Sequence, residues 1–235
     1  MNGLRSLFAL FVLLLPGVGA ASAAPVTWDL TAPGFSFLGT SETFTGSDGS
    51  GVTVEAFSLR PGEASWDLAL INQTANGLGV SSQFFDSTQI DNYRTYELLR
   101  FELPAASDAG SMLLTLGFTN DDYLIWANDT GALPDVALNL GGLNGDVLAS
   151  GGLTTSPETV FFAGDTAFNY LFVGGDLATF CGCGIWEADD FKVAGLSAAV
   201  SVVPLPAAMP LFAAAIGLFG LVGMRRKYAP KVIEA

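Results

Sequence analysis

Histidine is absent from this 235-residue chain, and basic residues are scarce: nine Lys and Arg stand against 23 Asp and Glu. Without imidazole there is no Ser-His-Asp or Cys-His catalysis and no His-ligated zinc or copper. The sequence has no Gly-x-x-x-x-Gly-Lys phosphate loop and no Gly-x-Ser-x-Gly elbow. It has no EF-hand loop and no Gly-Gly-x-Gly-x-Asp repeat. Cysteine is limited to Cys181 and Cys183, either side of Gly182. A bridge from i to i+2 closes a tiny ring near the upper Cα separation of about 7 Å, and would be strained. The pair reads as a local disulfide in a Gly-rich loop, with two free thiols or an intermolecular bridge as alternatives. Two thiolates alone do not make a metal site.

What is present is concentrated at the two ends. Arg5 precedes an apolar core over 7–15, Pro16 and Gly17 break it, and Ala21-Ser22-Ala23 offers small residues for cleavage. This is a Sec-type signal peptide over 1–23, handled by the Sec machinery and signal peptidase, with Ala24 as the expected mature N-terminus. At the other end, Val203-Pro204-Leu205-Pro206-Ala207 leads into an apolar run over 207–224, followed at once by Arg225-Arg226-Lys227. Eighteen residues are the short end of what spans a bilayer as a helix. The basic cluster places 228–235 on the cytoplasmic side and everything before Pro204 outside.

The order of Val203, Pro204, Leu205, Pro206 and Ala207, then helix, then Arg225, Arg226 and Lys227 resembles the PEP-CTERM sorting tail of Gram-negative bacteria, in its VPLPA-CTERM variant. The resemblance covers 203–227. It implies an exosortase-type membrane protease as a partner, which recognises and cuts the tail. It also implies an inner-membrane anchor before processing and a place at the cell surface or in the extracellular matrix afterwards. The eight residues after Lys227 depart from the family, which usually stops near its basic cluster.

Removing both ends leaves four basic and 22 acidic residues over 24–203, a net charge of −18. Such a surface repels nucleic acid and anionic lipid and suits neutral or cationic partners. The stretch is long enough for one domain with a full core. Its core reads as β. In 97–103, Leu99, Phe101 and Leu103 alternate with Leu98, Arg100 and Glu102; in 112–118, Leu114, Leu116 and Phe118 repeat the period. Further strands are expected over 26–30, 53–59, 65–71, 123–127, 136–140, 159–163, 169–173 and 191–193. Asp48-Gly49, Asn76-Gly77, Asn144-Gly145 and Gly174-Gly175-Asp176 supply turn chemistry between them. The expectation is an all-β fold: a single antiparallel β-sandwich of jelly-roll type over 24–193, a linker over 194–202, and one C-terminal transmembrane sorting helix.

Candidate site residues follow from chemistry. Asp91-Asn92, Asn120-Asp121-Asp122 and Glu187-Ala188-Asp189-Asp190 cluster oxygen ligands in turn-like settings. That makes Asp91, Asn92, Asp121, Asp122, Asp189 and Asp190 candidate ligands for a structural calcium. The segment 186–193 resembles the closing strand of jelly-roll carbohydrate-binding modules, and that resemblance implies a calcium-binding Asp near it. Gly77-Leu78-Gly79-Val80, Ile90-Asp91-Asn92 and Glu97-Leu98-Leu99-Arg100-Phe101 resemble a pattern in secreted bacterial β-sandwich modules, including adhesins; here Glu97 begins a strand that could close the loop before it. For sugar stacking the aromatics on offer are Trp66, Trp126, Trp186, Tyr93 and Tyr123, of which Trp186 and Tyr93 are the candidate glycan contacts and Trp66 and Trp126 are expected in the core. Two functions remain. One is a non-catalytic surface or matrix protein, glycan-binding and calcium-stabilised, with exopolysaccharide as partner. The other is a secreted, carboxylate-dependent polysaccharide-degrading enzyme on the same scaffold. Glycoside hydrolysis needs two carboxyl groups flanking a cleft, and with 22 acids the count alone selects no pair.

Overall fold

The structure is a computed structural model. It describes residues 24–60, 62–82, 89–91, 95–119, 122–135, 145–152, 157–162, 166–175 and 191–198. Ala24–Val200 forms one compact unit. The signal segment, the sorting motif and the apolar run lie outside the described residues. Among the described residues no helix is long and apolar enough to cross a membrane.

Fourteen strands are described: β1 (Val26–Asp29), β2 (Ser36–Gly39), β3 (Ser41–Thr45), β4 (Gly51–Leu59), β5 (Asp67–Leu68), β6 (Leu70–Thr74), β7 (Gly77–Ser81), β8 (Tyr96–Asp108), β9 (Met112–Thr119), β10 (Asp122–Asn128), β11 (Asp146–Gly152), β12 (Glu158–Phe161), β13 (Ala167–Gly175) and β14 (Phe191–Ala198). They form two seven-stranded sheets. The first runs β12-β9-β14-β7-β6-β2, with β1 also on β14; the second runs β11-β10-β13-β8-β4-β3, with β5 also on β4. Every pairing is antiparallel.

Alternation explains the core. Val54 and Ala56 on β4, Leu99 and Phe101 on β8, and Leu171 and Val173 on β13 face Leu78 and Val80 on β7, Leu114 and Leu116 on β9, and Val193 and Leu196 on β14, all buried in one cluster. The intervening residues of the second sheet do not simply face water. Phe57, Leu59, Tyr96, Leu98, Leu124, Trp126 and Phe172 form a second buried cluster on the outer face, with Trp66, Leu133 and Tyr170 against it. Trp66 donates from Nε1 to the Pro134 carbonyl at 2.9 Å, joining two of the segments that pack on this face.

Two turns show why the chain reverses where it does. Asp48 accepts from the Ser50 backbone N–H at 2.8 Å and from its hydroxyl at 2.6 Å, and Gly49 takes φ +87°, which closes β3 onto β4. Those bonds hold the Asp48 carboxyl below the usual carboxylate range. At the β6–β7 hairpin Gly77 has φ +115°, and a Cβ there would strike the Val193 carbonyl of β14. The glycine serves both the turn and the close approach of a neighbouring strand.

Three expectations are corrected. The stretch 65–71 is not one strand: the chain crosses between sheets at Ala69, with β5 on β4 and β6 on β7. The linker expected over 194–202 gives Ala194–Ala198 to β14, which pairs with both β1 and β9. The expected turn at Gly174-Gly175 is the end of β13, where Gly174 lies against the Tyr96 hydroxyl. The strand expected over 136–140 lies outside the described residues.

Candidate functional site

The stretch that joins β7 to β8 brings a polar cluster to the first sheet. Glu97, at the start of β8, is fully buried. Its carboxylate accepts from the Ser82 backbone N–H at 3.1 Å and from the Asp91 backbone N–H at 3.4 Å. Its own N–H donates to the Asp91 carbonyl at 3.1 Å. One buried side chain therefore ties the two ends of the connection together. Thr95 is buried beside it, and its hydroxyl shares a hydrogen bond with Ser82 at 3.0 Å. Ile90 forms an antiparallel bridge with Phe191, which fixes this connection to the first residue of β14.

The next residue of β14, Lys192, is also buried. Its ammonium donates to Asn72 Oδ1 at 2.9 Å, and Asn72 Nδ2 donates to Ser81 Oγ at 3.2 Å. Burial pushes the Lys192 amine down to about 8. Buried polar groups are costly unless hydrogen-bonded, and satisfied networks of this kind fix strand register.

An open cleft of about 360 Å³ lies elsewhere, between β10, β11 and β13. Asn128, Asp129, Thr130, Asp146, Thr166 and Phe168 line it. Asn128 Oδ1 accepts from the Gly131 N–H at 2.8 Å and shapes one wall. The two carboxylates are exposed, whereas the Phe168 ring is turned into the core at 1 % exposure. Among the described residues that line it, the cleft has acids but no open aromatic face.

Of the six expected calcium ligands, Asp91 and Asp122 are described. Asp91 is buried beside the bridge to the first sheet; Asp122 is half-buried and opens β10 in the second sheet, opposite Gly152. Among the described residues no three Asp, Glu, Cys or His side chains come together as a metal site. Asn92, Asp121, Asp189 and Asp190 lie outside the described residues, as do Tyr93, Trp186, Cys181, Cys183 and the sorting residues Val203, Pro204, Leu205, Pro206, Ala207, Arg225, Arg226 and Lys227. Among the described stacking candidates, Trp126 is fully buried, Tyr123 is 7 % exposed and Trp66 is half-buried. Burial, with a contribution from Glu158, raises the Tyr123 phenol above its usual range.

Other aromatic rings face solvent, and the most open among the described residues is Phe161 on β12, 72 % exposed. Phe35 and Phe37 are 54 % and 55 % exposed, and their rings meet edge to face at 4.8 Å. The sequence signal was there: two Phe two residues apart, just after Pro33-Gly34, in the spacing that puts side chains on one side of extended chain.

No family model and no curated protein matches this chain. Among solved structures, it is similar to the family 32 carbohydrate-binding module of C. perfringens NanJ, solved in complex with galactose. The match has 16 % identity, a TM-score of 0.33, and covers 63 % of this chain and 92 % of that one.

Proposed function

We propose that this protein is exported, processed at its C-terminal tail by an exosortase-type protease, and acts at the cell surface or in the extracellular matrix by binding glycan, without a catalytic step. The observation that carries the reading is how the two sequence signals bracket the fold. β1 begins three residues after Ala23 and β14 ends five residues before Val203, and Val26 and Ala198 are Cα partners across the two strands. The first and last strands of the sandwich pair with each other, so trimming at both signals would leave every described strand intact.

Binding rather than turnover is supported by the cleft. Among the described residues that line it, its acids Asp129 and Asp146 have no exposed ring beside them on which a sugar could stack. Calcium enters this proposal only through the sequence clusters around Asp121 and Asp189. The test is affinity electrophoresis of the full chain through gels containing the producer's exopolysaccharide, run beside reducing-end assays on the same polymer. Retardation with reducing ends at background supports the reading. Turnover that disappears on Asp146→Asn or Asp129→Asn would replace it with a carboxylate-dependent enzyme.

A further inference from the structure

The first sheet ends at β2, an edge strand paired only with β6 among the described strands. Phe37 lies opposite Asn72, and Ile71 beside Asn72 points into the core, so Phe37 stands on the outer face. Phe35, just before the strand, sets its ring against that of Phe37, and Leu70, 41 % exposed, is the diagonal neighbour of Phe37 on β6. The three side chains are an apolar patch containing no charged residue, on a domain of net charge −18.

We propose that Phe35 and Phe37 are the contact surface for a single, uncharged polysaccharide chain. The inference rests on the glycan-binding reading above and names the ligand class and the residues. Three observations select this occupant. The patch offers two aromatic rings more than half exposed, and the C–H faces of a pyranose are the carbohydrate surface that packs on a ring. The rings stand at 84° to each other, so they form a notch rather than a plane. A notch fits one flexible chain; a flat crystalline polymer surface needs coplanar rings. The charge opposes two competitors: a second copy brings the same excess of acids, and an anionic polymer meets the same field. The outward backbone groups of β2 lie alongside and can exchange hydrogen bonds with sugar hydroxyls.

The experiment is affinity electrophoresis of the full chain in a zwitterionic detergent that carries no sugar. The gels contain soluble galactomannan, xyloglucan or mixed-linkage glucan as neutral probes and alginate as the anionic one. The wild type is compared with the double variant Phe35→Ala/Phe37→Ala, and thermal melts of both show that the exposed changes leave the fold intact. Retardation by at least one neutral probe but not by alginate is expected, weakened about ten-fold in the double variant, the factor that losing 1.4 kcal/mol gives. Neutral retardation undiminished in the double variant overturns this site while leaving glycan binding standing. No retardation of the wild type by any of these polymers or by the producer's own exopolysaccharide overturns both. Preference for alginate overturns the ligand class, and a concentration-dependent dimer abolished by Phe37→Ala assigns the patch to self-association instead.

Discussion

The two outer faces of the sandwich solve the same problem in opposite ways. The second sheet hides most of its outer face: Tyr96, Leu98, Trp126 and Phe172 are fully buried there, the Trp126 and Phe172 rings stack at 5.1 Å, nearly parallel, and only towards its margins do Leu68 and Val147 stay open. Arg100 is half-buried on the same face. Its guanidinium lies 5.0 Å from the Phe57 ring centre and 5.7 Å from that of Tyr170, pairs with Glu55 and donates to the Gly131 carbonyl at 2.5 Å. The first sheet instead buries a polar network, Lys192 with Asn72 and Ser81, and leaves Phe35 and Phe37 open at its β2 edge and Phe161 at its β12 edge. One sheet uses its large rings for packing; the other keeps large rings at its edges, exposed to solvent.

The largest break in that comparison comes from Trp126→Ala. It removes a fully buried ring from the sealed face and should cost about 3–5 kcal/mol, read as a large drop in the denaturant midpoint; a loss under about 1 kcal/mol would mean the second cluster is not a true core. Arg100→Ala comes next. It strands the half-buried Glu55 and the Gly131 carbonyl, so about 2 kcal/mol should be lost, in the range of hydrogen bonds to charged groups.

Lys192 gives a pH signature for the network. Its folded value, about 8, lies below the usual lysine value of 10.5, so between these the unfolded chain binds the extra proton. Stability should therefore rise from pH 8 toward 10. Tyr123 shifts the other way and pulls stability down only above about pH 10. Melts across pH 7–10 should show the rise in the wild type and lose it in Lys192→Met; a parallel rise in the variant would assign it to other groups. The smallest effect belongs to Phe37→Ala, which should stay within about 0.5 kcal/mol of wild type because its ring is exposed.

Much of the sandwich was legible because half-buried strands carry a period of two. Strands expected over 53–59, 97–103, 112–118 and 123–127 fall within β4, β8, β9 and β10. The misses have physical causes. β7, Gly77–Ser81, reads as loop because two of its five residues are glycine, yet glycine is what lets Gly77 sit against the β14 backbone. Ala194–Ala198 reads as linker because its side chains are small, but small side chains fit a strand packed between β9 and β1. The second cluster was hidden because Leu98 alternates correctly with Leu99; nothing in the period says that a distant segment will cover the outer side. At the site, Glu97 was readable as a loop-closing acid, whereas Lys192 on Asn72 joins residues 120 positions apart and leaves no local signal.

The most direct test of the account is intact-mass spectrometry of the protein recovered from the cells that make it, read at both termini. The account predicts a mature chain that begins at Ala24 and lacks Arg225-Arg226-Lys227. A dominant species that retains Arg225 would contradict it.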